Sequence, residues 1–477
     1  DDFIPGARAL GQSIVDSKTK YEMVLLYTDG LTEAGLEILR GDNMWELVKV
    51  STLRNPNQDH YLFQSRLKNV YTKCHIYNQT KYDKIVYIDS DIILLENSDE
   101  LFNCPGYCAV FRNAFFNTGV IVARPSTAFF NDLVAKFPTL PSYNGGEQGL
   151  LNSYFWDLDL KCPMFHGDPD TIAEFRRNGE RCGRLPAYYN GDIGPYYLHD
   201  ASWLLPEQRN SPKILHFTLG TFKPWQWWWY PIFDICWAWY EMYTRVADVP
   251  SNAFEQISYP ILFYRALLPS VLLFASYVYY ARVIRLFDVY TAGAVKLLTR
   301  WDPFRYCSRS GTVDTSLAMS SLLLLCGVGV GLGTFFTAFY IATVAMPVVH
   351  PGWGTFFLVQ YWLLLSYGSV FSFHRICFNA GKEVAVSSKQ SVLDKKESPK
   401  ISARPTVLTF TAAASVSFLV LLSFLAVFVL HPSWYTLKSK ITTAIATLVP
   451  VLYLWLSLWV WAPGQWFCVG AAPGTRL

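Results

Sequence analysis

The chain has 477 residues, of which 52% are hydrophobic and 16% charged, and its formal net charge is +3 at pH 7. This length allows more than one domain, since domains commonly contain about 100 to 200 residues. The small net charge, without a basic run interleaved with aromatic residues, argues against a nucleic-acid-binding protein. The composition also changes along the chain: charged residues are mixed with short apolar runs up to about Tyr243, whereas long uncharged stretches begin at Ile261.

The first part of the chain is predicted to alternate helices with strands, as in an α/β protein with a parallel sheet. Pro5 stands in a first-turn position, and helical apolar spacing follows it as far as Ile14. The alternation continues with a strand at residues 22–27, a helix at 31–39, a strand at 45–50 and a helix at 64–77.

The stretch at residues 85–94 is β-branched and aromatic, which predicts a buried strand. It contains Asp89 and Asp91 at a carboxyl edge, where α/β sheets bind ligands. The two aspartates alternate with Ser90, so in an extended segment both carboxylates point the same way and share one cation. Such a cation would neutralise a diphosphate leaving group. A bare Asp-x-Asp is by itself more typical of a capped turn at a strand end.

Further along the chain, strands are predicted at residues 109–111 and 119–123, on either side of Asn117-Thr118. A helix at residues 148–154 follows the Gly145-Gly146 turn. A short strand at 213–217 contains His216.

Five later segments are apolar over about 20 residues, the length that a helix needs to cross a bilayer. They are residues 261–280, 317–349, 355–373, 407–430 and 441–462. Lys and Arg concentrate in the connections 281–316 and 374–406, which the positive-inside rule assigns to the cytosol. An α-helical polytopic membrane domain is therefore expected, with the N-terminal domain in the lumen.

Four parts are expected: a first domain at residues 1–223, an aromatic linker at 224–258, a transmembrane domain at 259–464 and a cytosolic tail at 465–477. The aromatic linker is interpreted as an interfacial helix against the bilayer, with an aromatic core helix as the alternative. Six of the ten cysteines precede the first apolar segment, an even number that a lumenal domain can pair.

Four motifs of the first domain together resemble the family 8 glycosyltransferases, the glycogenin-like group. They are Thr72-Lys73 before residues 86–91, Asn117-Thr118-Gly119-Val120, residues 145–152, and His216 with Gly220 and Lys223-Pro224-Trp225. The resemblance implies an α/β fold of the GT-A, Rossmann-like type and a UDP-sugar donor. Within the family, a catalytic domain before several spans looks like the plant glucuronosyltransferases that act on inositol phosphorylceramide.

The family pattern implies that Asp89, Asp91 and His216 bind Mn2+, an ion suited to two carboxylates and one imidazole. Lys223 would meet the diphosphate as a point charge, and the backbone at Gly220 would approach the phosphates closely. The spacing between His216 and Gly220 is one residue longer than in the glycogenin pattern. A lone histidine after a strand is otherwise usually structural.

The same resemblance implies a donor pocket. Lys73 aligns with the lysine that reaches the sugar nucleotide, and Phe3 stands where the family places a ring on the base. Ser90 joins the donor site through the acidic motif. The residues expected around the transferred sugar are Asn117, Thr118, Gly146, Glu147 and Gln148. Taken alone, Lys73 reads as a solvated charge and Glu147 as an ordinary first-turn helix residue.

The family retains anomeric configuration, and Gln148 is a poor nucleophile for a double displacement. A front-face route is therefore favoured, in which the leaving phosphate takes the acceptor proton and Lys223 stabilises its charge. Glu147 would orient the donor hydroxyls, and its attack on the sugar is the minor option.

Three arginines and two further polar residues complete the predicted site. Arg112 is the candidate for binding the carboxylate of a glucuronate donor, because guanidinium binds carboxylates in bidentate fashion; the alternative is a surface charge at a strand end. Tyr189 and Asn190 match the acceptor-side segment of the family. A basic loop that includes Arg176 and Arg177 suits the phosphate of a lipid headgroup, with a merely solvated loop as the alternative.

The function expected is transfer of glucuronic acid from UDP-glucuronate to the inositol headgroup of inositol phosphorylceramide, a membrane sphingolipid, in the Golgi lumen. The enzymatic alternative is a UDP-glucose or UDP-galactose transferase acting on a glycan. A transporter with an inactive ectodomain is disfavoured, because none of the expected spans carries an ionisable residue near its centre.

Overall fold

The computed structural model describes residues 1–56, 67–112, 115–156, 162–199, 202–226 and 233–246, the last two ranges with the exception of 204, 206–208, 221 and 234. Later in the chain it describes 268–300, 329–343 and 351–387, with short gaps at 270, 273–274, 276–277 and 331. The chain divides into two compact units, Asp1–Asn252 and Ala253–Leu477. The predicted boundaries at residues 223, 258 and 464 stay predictions.

Strands and helices alternate through the first unit. The strands are β1 (Val24–Tyr27), β2 (Glu46–Lys49), β3 (Ile85–Ile88), β4 (Ile92–Leu94), β5 (Tyr107–Arg112), β6 (Phe115–Ala123), β7 (Cys182–Leu185), β8 (Gly191–Asp192) and β9 (Ile214–His216). The α-helices of the described part are α1 (Ile4–Asp16), α2 (Glu33–Gly41), α3 (Thr127–Lys136), α4 (Glu147–Tyr154), α5 (Pro169–Asn178), α6 (Ile193–Leu198) and α7 (Cys236–Tyr243). Short 3-10 helices lie at Val70–Asn78, Asp99–Asn103 and Ala187–Tyr189.

Within the described residues, the strands form three small sheets in the orders β1-β2, β3-β6-β5-β7 and β4-β9-β8. The predicted parallel sheet is only partly right. The pairs β1-β2, β5-β7 and β8-β9 are parallel, whereas β3-β6, β5-β6 and β4-β9 are antiparallel. β5 and β6 can pair antiparallel because only two residues separate them in the chain, too few for a crossover helix.

Strand β6 shows how the core is built around the central sheet. Val120 and Val122 enter one buried cluster, while Ile121 and Ala123 enter a second one. Successive side chains of a strand point to opposite faces, so the central sheet is buried on both sides. This double burial explains the unbroken apolar run at residues 120–123.

The predicted strand at 85–94 is divided in two. β3 pairs antiparallel with β6, whereas β4 pairs antiparallel with β9, so the chain changes sheets at residues 89–91. The turn is held by the backbone, because the Asp89 N–H donates to the Gly119 carbonyl at 2.9 Å and the Phe217 N–H to the Asp91 carbonyl at 3.0 Å. The acidic pair therefore lies between two sheets, in a turn instead of the extended segment predicted.

Helix α1 confirms the prediction for the N-terminal segment, and Pro5 occupies its first turn. The helix packs against β4 and α7. Its Arg8 forms a bidentate ion pair with Asp42, with Nε–Oδ2 and Nη2–Oδ1 distances of 2.9 and 2.7 Å. The following strand and helix predictions, up to residue 50, are confirmed within a few residues.

Three local predictions need correction. The helix expected at 64–77 is a 3-10 helix at Val70–Asn78, and residues 57–66 lie outside the described part. Asn117 and Thr118, predicted to lie between two strands, belong to β6 itself. The pairing of β6 with β5 shifts register at Ala109/Val110, and this bulge lets the strand continue through Asn117 and Thr118. Arg176 and Arg177 lie in the last turn of α5 instead of a loop.

Two disulfides occur in the first unit, Cys104–Cys108 and Cys162–Cys182. The second bridge joins the start of β7 to a segment 20 residues earlier in the chain. The aromatic linker contributes α7, whose Trp239 is fully buried against Trp225 and Tyr243. Residues 227–232 of that linker lie outside the described part.

The second unit corrects the membrane prediction. Among the described residues, no helix has both the length and the apolar character that crossing a membrane requires, which contradicts the polytopic domain expected at 259–464. Helix α8 (Tyr280–Arg300) carries several charged residues, and the described apolar part of α9 (Pro351–Ser387) is followed directly by His374 and Arg375. The predicted spans 407–430 and 441–462, and parts of 261–280 and 317–349, lie outside the described residues.

Helices α8 and α9 pack against each other. Arg375 of α9 forms a bidentate ion pair with Asp288 of α8, with Nη2–Oδ2 and Nε–Oδ1 distances of 2.8 and 3.0 Å. Asn379 donates to the same carboxylate at 2.7 Å. This ion pair explains how α8 accommodates a charged residue within a packed pair of helices.

Candidate metal centre and donor pocket

Asp89, Asp91 and His216 come together where two sheets meet. His216 is the last residue of β9 and pairs with Ile92 of β4, which places its ring beside the acidic turn. Its Nε2 lies 3.4 Å from Asp91 Oδ1 and 3.9 Å from Asp89 Oδ2. One donor atom of each residue lies within 4.8 Å of the others. The distant histidine thus joins the acidic pair, as the family pattern implies.

This donor set fits a divalent cation. Two carboxylate oxygens and one imidazole nitrogen suit an ion such as Mn2+, and they also suit divalent ions of intermediate softness such as Zn2+. Asp91 and His216 are both buried, with 9% and 4% of their surface exposed. The protein already brings two cationic lysines against these carboxylates, because buried charge needs a partner.

Lys223 is the first of these lysines. Its Nζ pairs with Asp91 Oδ2 and donates to the Phe217 carbonyl at 2.9 Å. Burial by itself would raise the pKa of Asp91, but the interactions with His216 and Lys223 outweigh it, so the pKa lies well below its usual range. Lys223 is thus held beside the position where a cation on Asp91 would lie.

Lys73 is the second lysine, and it is not the solvated charge that the isolated residue suggests. Only 9% of its side chain is exposed, and its Nζ lies 2.9 Å from Asp89 Oδ1 and 3.1 Å from Glu147 Oε1. Thr118 Oγ1 accepts a third hydrogen bond at 3.2 Å. Burial would lower the pKa of Lys73, but Asp89 and Glu147 raise it well above its usual value.

Glu147 and Gln148 open helix α4 and are bound to β6 through Thr118. The Thr118 hydroxyl donates to Glu147 Oε1 at 3.0 Å, and the Thr118 N–H donates to Gln148 Oε1 at 3.2 Å. Gly145 has a left-handed φ of +72°, which a residue without Cβ adopts easily, whereas Gly146 is extended. The turn before α4 therefore depends on Gly145 for its conformation.

Asn117 and Asn190 lie behind His216. Asn190 Nδ2 donates to Asn117 Oδ1 at 2.7 Å, and Asn190 Oδ1 lies 2.8 Å from His216 Nδ1. Tyr189, which precedes Asn190 in the chain, is fully buried, and its hydroxyl donates to Glu100 Oε1 at 2.8 Å. Contact of Tyr189 and Asn190 with an acceptor remains a prediction; the contacts observed here are internal.

Phe3 lies at the start of α1 with 51% of its surface exposed, and its ring centroid is 5.3 Å from that of Trp225. A Cβ on Gly6 would lie 2.4 Å from the Ser90 carbonyl oxygen and 2.8 Å from the Trp225 ring. The Phe3–Trp225 pair therefore borders the acidic turn through Gly6.

Gly220 follows β9 with a left-handed φ of +52°, a conformation that favours glycine. Arg112 is the last residue of β5, and its side chain lies outside what is described. Arg176 and Arg177 are exposed in the last turn of α5, where cations interact favourably with the helix dipole. None of these arginines has a described contact with the acidic turn.

Two residues of this site escaped the sequence analysis. Tyr87 donates from its hydroxyl to Asp89 Oδ1 at 2.6 Å, and Lys73 Nζ lies 4.7 Å from the centre of its ring. A Cβ on Gly119 would lie 2.2 Å from His216 Cε1 and 2.5 Å from Nδ1. The glycine within Asn117-Thr118-Gly119 was the available signal, since a glycine inside a strand often marks close approach by another group.

The first unit thus brings together an acidic turn, a distant histidine and two lysines. The chain is 40% identical over 231 residues to inositol phosphorylceramide glucuronosyltransferase 1 of Arabidopsis thaliana, covering 48% of this chain and 41% of that protein. It is 34% identical over 158 residues to UDP-glucuronate:xylan alpha-glucuronosyltransferase 2 of the same organism, covering 32% and 26%. It is 36% identical over 159 residues to glycogenin-1 of Caenorhabditis elegans, covering 32% of each.

These similarities confirm the predicted resemblance to the glycogenin-like glycosyltransferases. No family model matches the chain. The chain spans less than half the length of these curated relatives.

Proposed function

We propose that this chain is a UDP-sugar-dependent glycosyltransferase that transfers glucuronic acid with the help of a divalent cation, Mn2+ in the first instance. The observation that carries the proposal is the cluster of Asp89, Asp91 and His216, with donor atoms within 4.8 Å of one another. Relatives named as glucuronosyltransferases support the choice of sugar.

In this proposal Asp89, Asp91 and His216 hold the cation. When bound there, the cation supplies positive charge to the diphosphate of the donor as it leaves. Lys223 lies against Asp91 and adds a point charge for the same leaving group. The backbone at Gly220, three residues before Lys223, has no Cβ to prevent close approach of phosphate oxygens.

In this proposal, the part of the pocket that holds the transferred sugar is formed by Lys73, Thr118, Glu147 and Gln148. Glu147 Oε1 accepts from both the Lys73 ammonium and the Thr118 hydroxyl, at 3.1 and 3.0 Å. A carboxylate oxygen engaged in this way is suited to orienting hydroxyls more than to attacking carbon, and the Gln148 amide is a poor nucleophile.

The route that fits these residues is front-face substitution with retention. The bond between the anomeric carbon and the diphosphate oxygen breaks, and the acceptor oxygen bonds to the same face. The acceptor proton passes to the departing phosphate oxygen, while Lys223 stabilises the charge that develops there.

The acceptor that we propose is the inositol headgroup of inositol phosphorylceramide, a sphingolipid. Support comes from the 40% identical relative that carries this acceptor in its name. The disulfides Cys104–Cys108 and Cys162–Cys182 support a lumenal location such as the Golgi, because disulfides persist in oxidising compartments. A glycan acceptor is the second candidate, favoured by the relative named for xylan.

The test is UDP release by the purified chain with Mn2+ and a panel of UDP-sugars, with and without inositol phosphorylceramide. We expect UDP-glucuronate to be the best donor and the lipid to stimulate release. Stimulation by xylan oligosaccharides alone would favour the glycan acceptor. If UDP release is the same for wild type and an Asp89→Asn/Asp91→Asn double variant, the proposed chemistry is wrong.

A further inference from the structure

A short series of hydrogen bonds reaches from the backbone of β6 to the ring of His216. It starts at the Gly119 N–H, which donates to Asn117 Oδ1 at 2.8 Å. A backbone N–H is only a donor, so the Asn117 atom facing it is the carbonyl oxygen. Asn190 lies 2.7 Å from that same oxygen and must present its NH2 group to it.

The orientation of Asn190 then decides the hydrogen position on His216. Because its NH2 group faces Asn117, its carbonyl oxygen faces His216 Nδ1, at 2.8 Å. A carbonyl oxygen only accepts hydrogen bonds, so Nδ1 must carry a hydrogen. In a neutral imidazole the other nitrogen, Nε2, then has a free lone pair.

Nε2 is the ring atom that faces the carboxylates, 3.4 Å from Asp91 and 3.9 Å from Asp89. A nitrogen with a free lone pair is a metal ligand, whereas the opposite tautomer would present a hydrogen to the cation. His216 and Asn190 are 4% and 1% exposed, so the hydrogen bonds between them are protected from exchange with solvent.

We propose that Asn117 and Asn190 are positioning residues that hold His216 as the Nδ1–H tautomer and so present Nε2 to the metal. This inference rests on the metal site of the proposed function. Groups that donate to or accept from a ligating histidine commonly change metal affinity by about 10–100-fold when they are replaced. Asn190 acts through His216 and has no described contact with either aspartate.

Two substitutions at Asn190 separate this role from simple packing. Asn190→Leu keeps the branched side-chain shape but removes the acceptor for Nδ1–H, so Mn2+ affinity should fall by about 10–100-fold. Asn190→Asp loses the donor to Asn117 but keeps an acceptor for Nδ1–H, so Mn2+ affinity should fall less than in Asn190→Leu and the nitrogen coupling should remain. A role in packing alone predicts that Asn190→Leu lowers stability without removing the imidazole nitrogen coupling of bound Mn2+.

The measurement is Mn2+ titration of the full, metal-stripped chain by electron paramagnetic resonance, with pulsed detection of nitrogen-14 coupling from imidazole. Asn55→Leu is the matched control, because Asn55 is equally buried but donates to the carbonyls of Leu67 and Gly145. It should lower stability and leave both Mn2+ affinity and nitrogen coupling unchanged.

His216→Ala distinguishes failure of the positioning role from failure of the metal site itself. If His216→Ala weakens Mn2+ binding and removes the nitrogen coupling but Asn190→Leu changes neither, the positioning role is wrong and the metal site stands. If His216→Ala binds Mn2+ like wild type, the metal site fails, and the positioning role fails with it.

Discussion

Gly119 limits where His216 can lie. Replacing it with alanine would put a Cβ 2.2 Å from Cε1 of the imidazole, and the ring could not stay in place. We expect Gly119→Ala to cost about 1–3 kcal/mol in unfolding free energy through overpacking. We also expect at least about a tenfold loss of Mn2+ affinity, because the ring must turn away from the aspartates. Denaturant unfolding and Mn2+ titration measure the two effects.

Gly41→Ala is the matched control for this substitution. Gly41 is the last residue of α2, and a Cβ there meets nothing within 4 Å. Alanine in a helix is favoured over glycine by about 0.5–1 kcal/mol, so the control should be neutral or slightly stabilising. Equal losses of Mn2+ affinity in both variants would contradict the specific role of Gly119.

Arg112 carries the prediction on donor choice. The planar guanidinium binds a carboxylate through two hydrogen bonds, which lysine cannot reproduce. Arg112→Lys and Arg112→Ala should therefore lower kcat/KM with UDP-glucuronate more than with UDP-glucose, by about tenfold for about 1.4 kcal/mol of lost binding. UDP release with both donors gives the ratio. Equal losses with the two donors would refute the carboxylate assignment.

At the scale of elements, the acidic turn owes its geometry to a change of partner strands. β3 and β4 are consecutive in the chain, yet they pair with β6 and β9 respectively. The periodicity of residues 85–94 predicted the buried apolar side chains, but a strand pattern does not specify its partners. The break at residues 89–91 depends on hydrogen bonds to Gly119 and Phe217, residues far away in the chain.

Helix α5 was missed although its termini carry recognisable signals. Asp168 is the N-cap and accepts from the Thr171 N–H at 2.9 Å, Pro169 opens the helix, and Gly179 ends it in a left-handed conformation. We expect Asp168→Ala to lower the free energy of unfolding by about 0.5–2 kcal/mol, whereas the exposed mid-helix change Glu174→Ala should stay within about 0.5 kcal/mol.

The Asp168 cap also predicts how the difference in unfolding free energy between wild type and Asp168→Ala depends on pH. Hydrogen bonds from the Thr171 side chain and backbone lower the pKa of Asp168 below its usual value of 3.8. The ionised cap therefore stabilises the fold above the unfolded-state pKa, and this contribution is lost as pH falls through the lower folded-state pKa. Urea unfolding at several pH values should show the gap between wild type and Asp168→Ala narrowing below about pH 4. A constant gap down to pH 2 would contradict this role.

At the scale of the whole molecule, metal binding should be visible in stability. A ligand that binds only the folded state stabilises it by about 2.7 kcal/mol at a concentration of 100 times its Kd. We expect the Tm of the EDTA-treated chain to rise when Mn2+ is added, and the rise to disappear in Asp91→Asn. Calorimetry of both proteins, with and without EDTA, tests this. An equal rise in the variant would show that the ion binds elsewhere.

Local apolarity was a poor guide to the second unit. The predicted spans rested on windows of apolar residues, which describe the transfer of an isolated helix into lipid. Helix α8 lies in the predicted connection 281–316 and packs against α9, where Asp288 pairs with Arg375 of the predicted connection 374–406, a contact to which a hydropathy window is blind. Such a window cannot separate a helix buried against protein from one buried in a bilayer.

The sequence by itself determined the elements whose signals are local. These include the helix after Pro5, the apolar faces of β6, the helix after Gly145-Gly146, and the acidic motif with its resemblance to a family of glycosyltransferases. Their signals lie within one or two turns or strands, so periodicity and turn chemistry are enough.

Only the tertiary structure decided which of these residues meet. Asn117 and Asn190 are 73 positions apart, and Lys73 and Glu147 are 74 apart, yet each pair is hydrogen-bonded. The tautomer of His216, the burial of Lys73 and the need for glycine at position 119 all follow from such pairs. Side chains this far apart are brought together by packing of sheets and helices, and no local pattern records that arrangement.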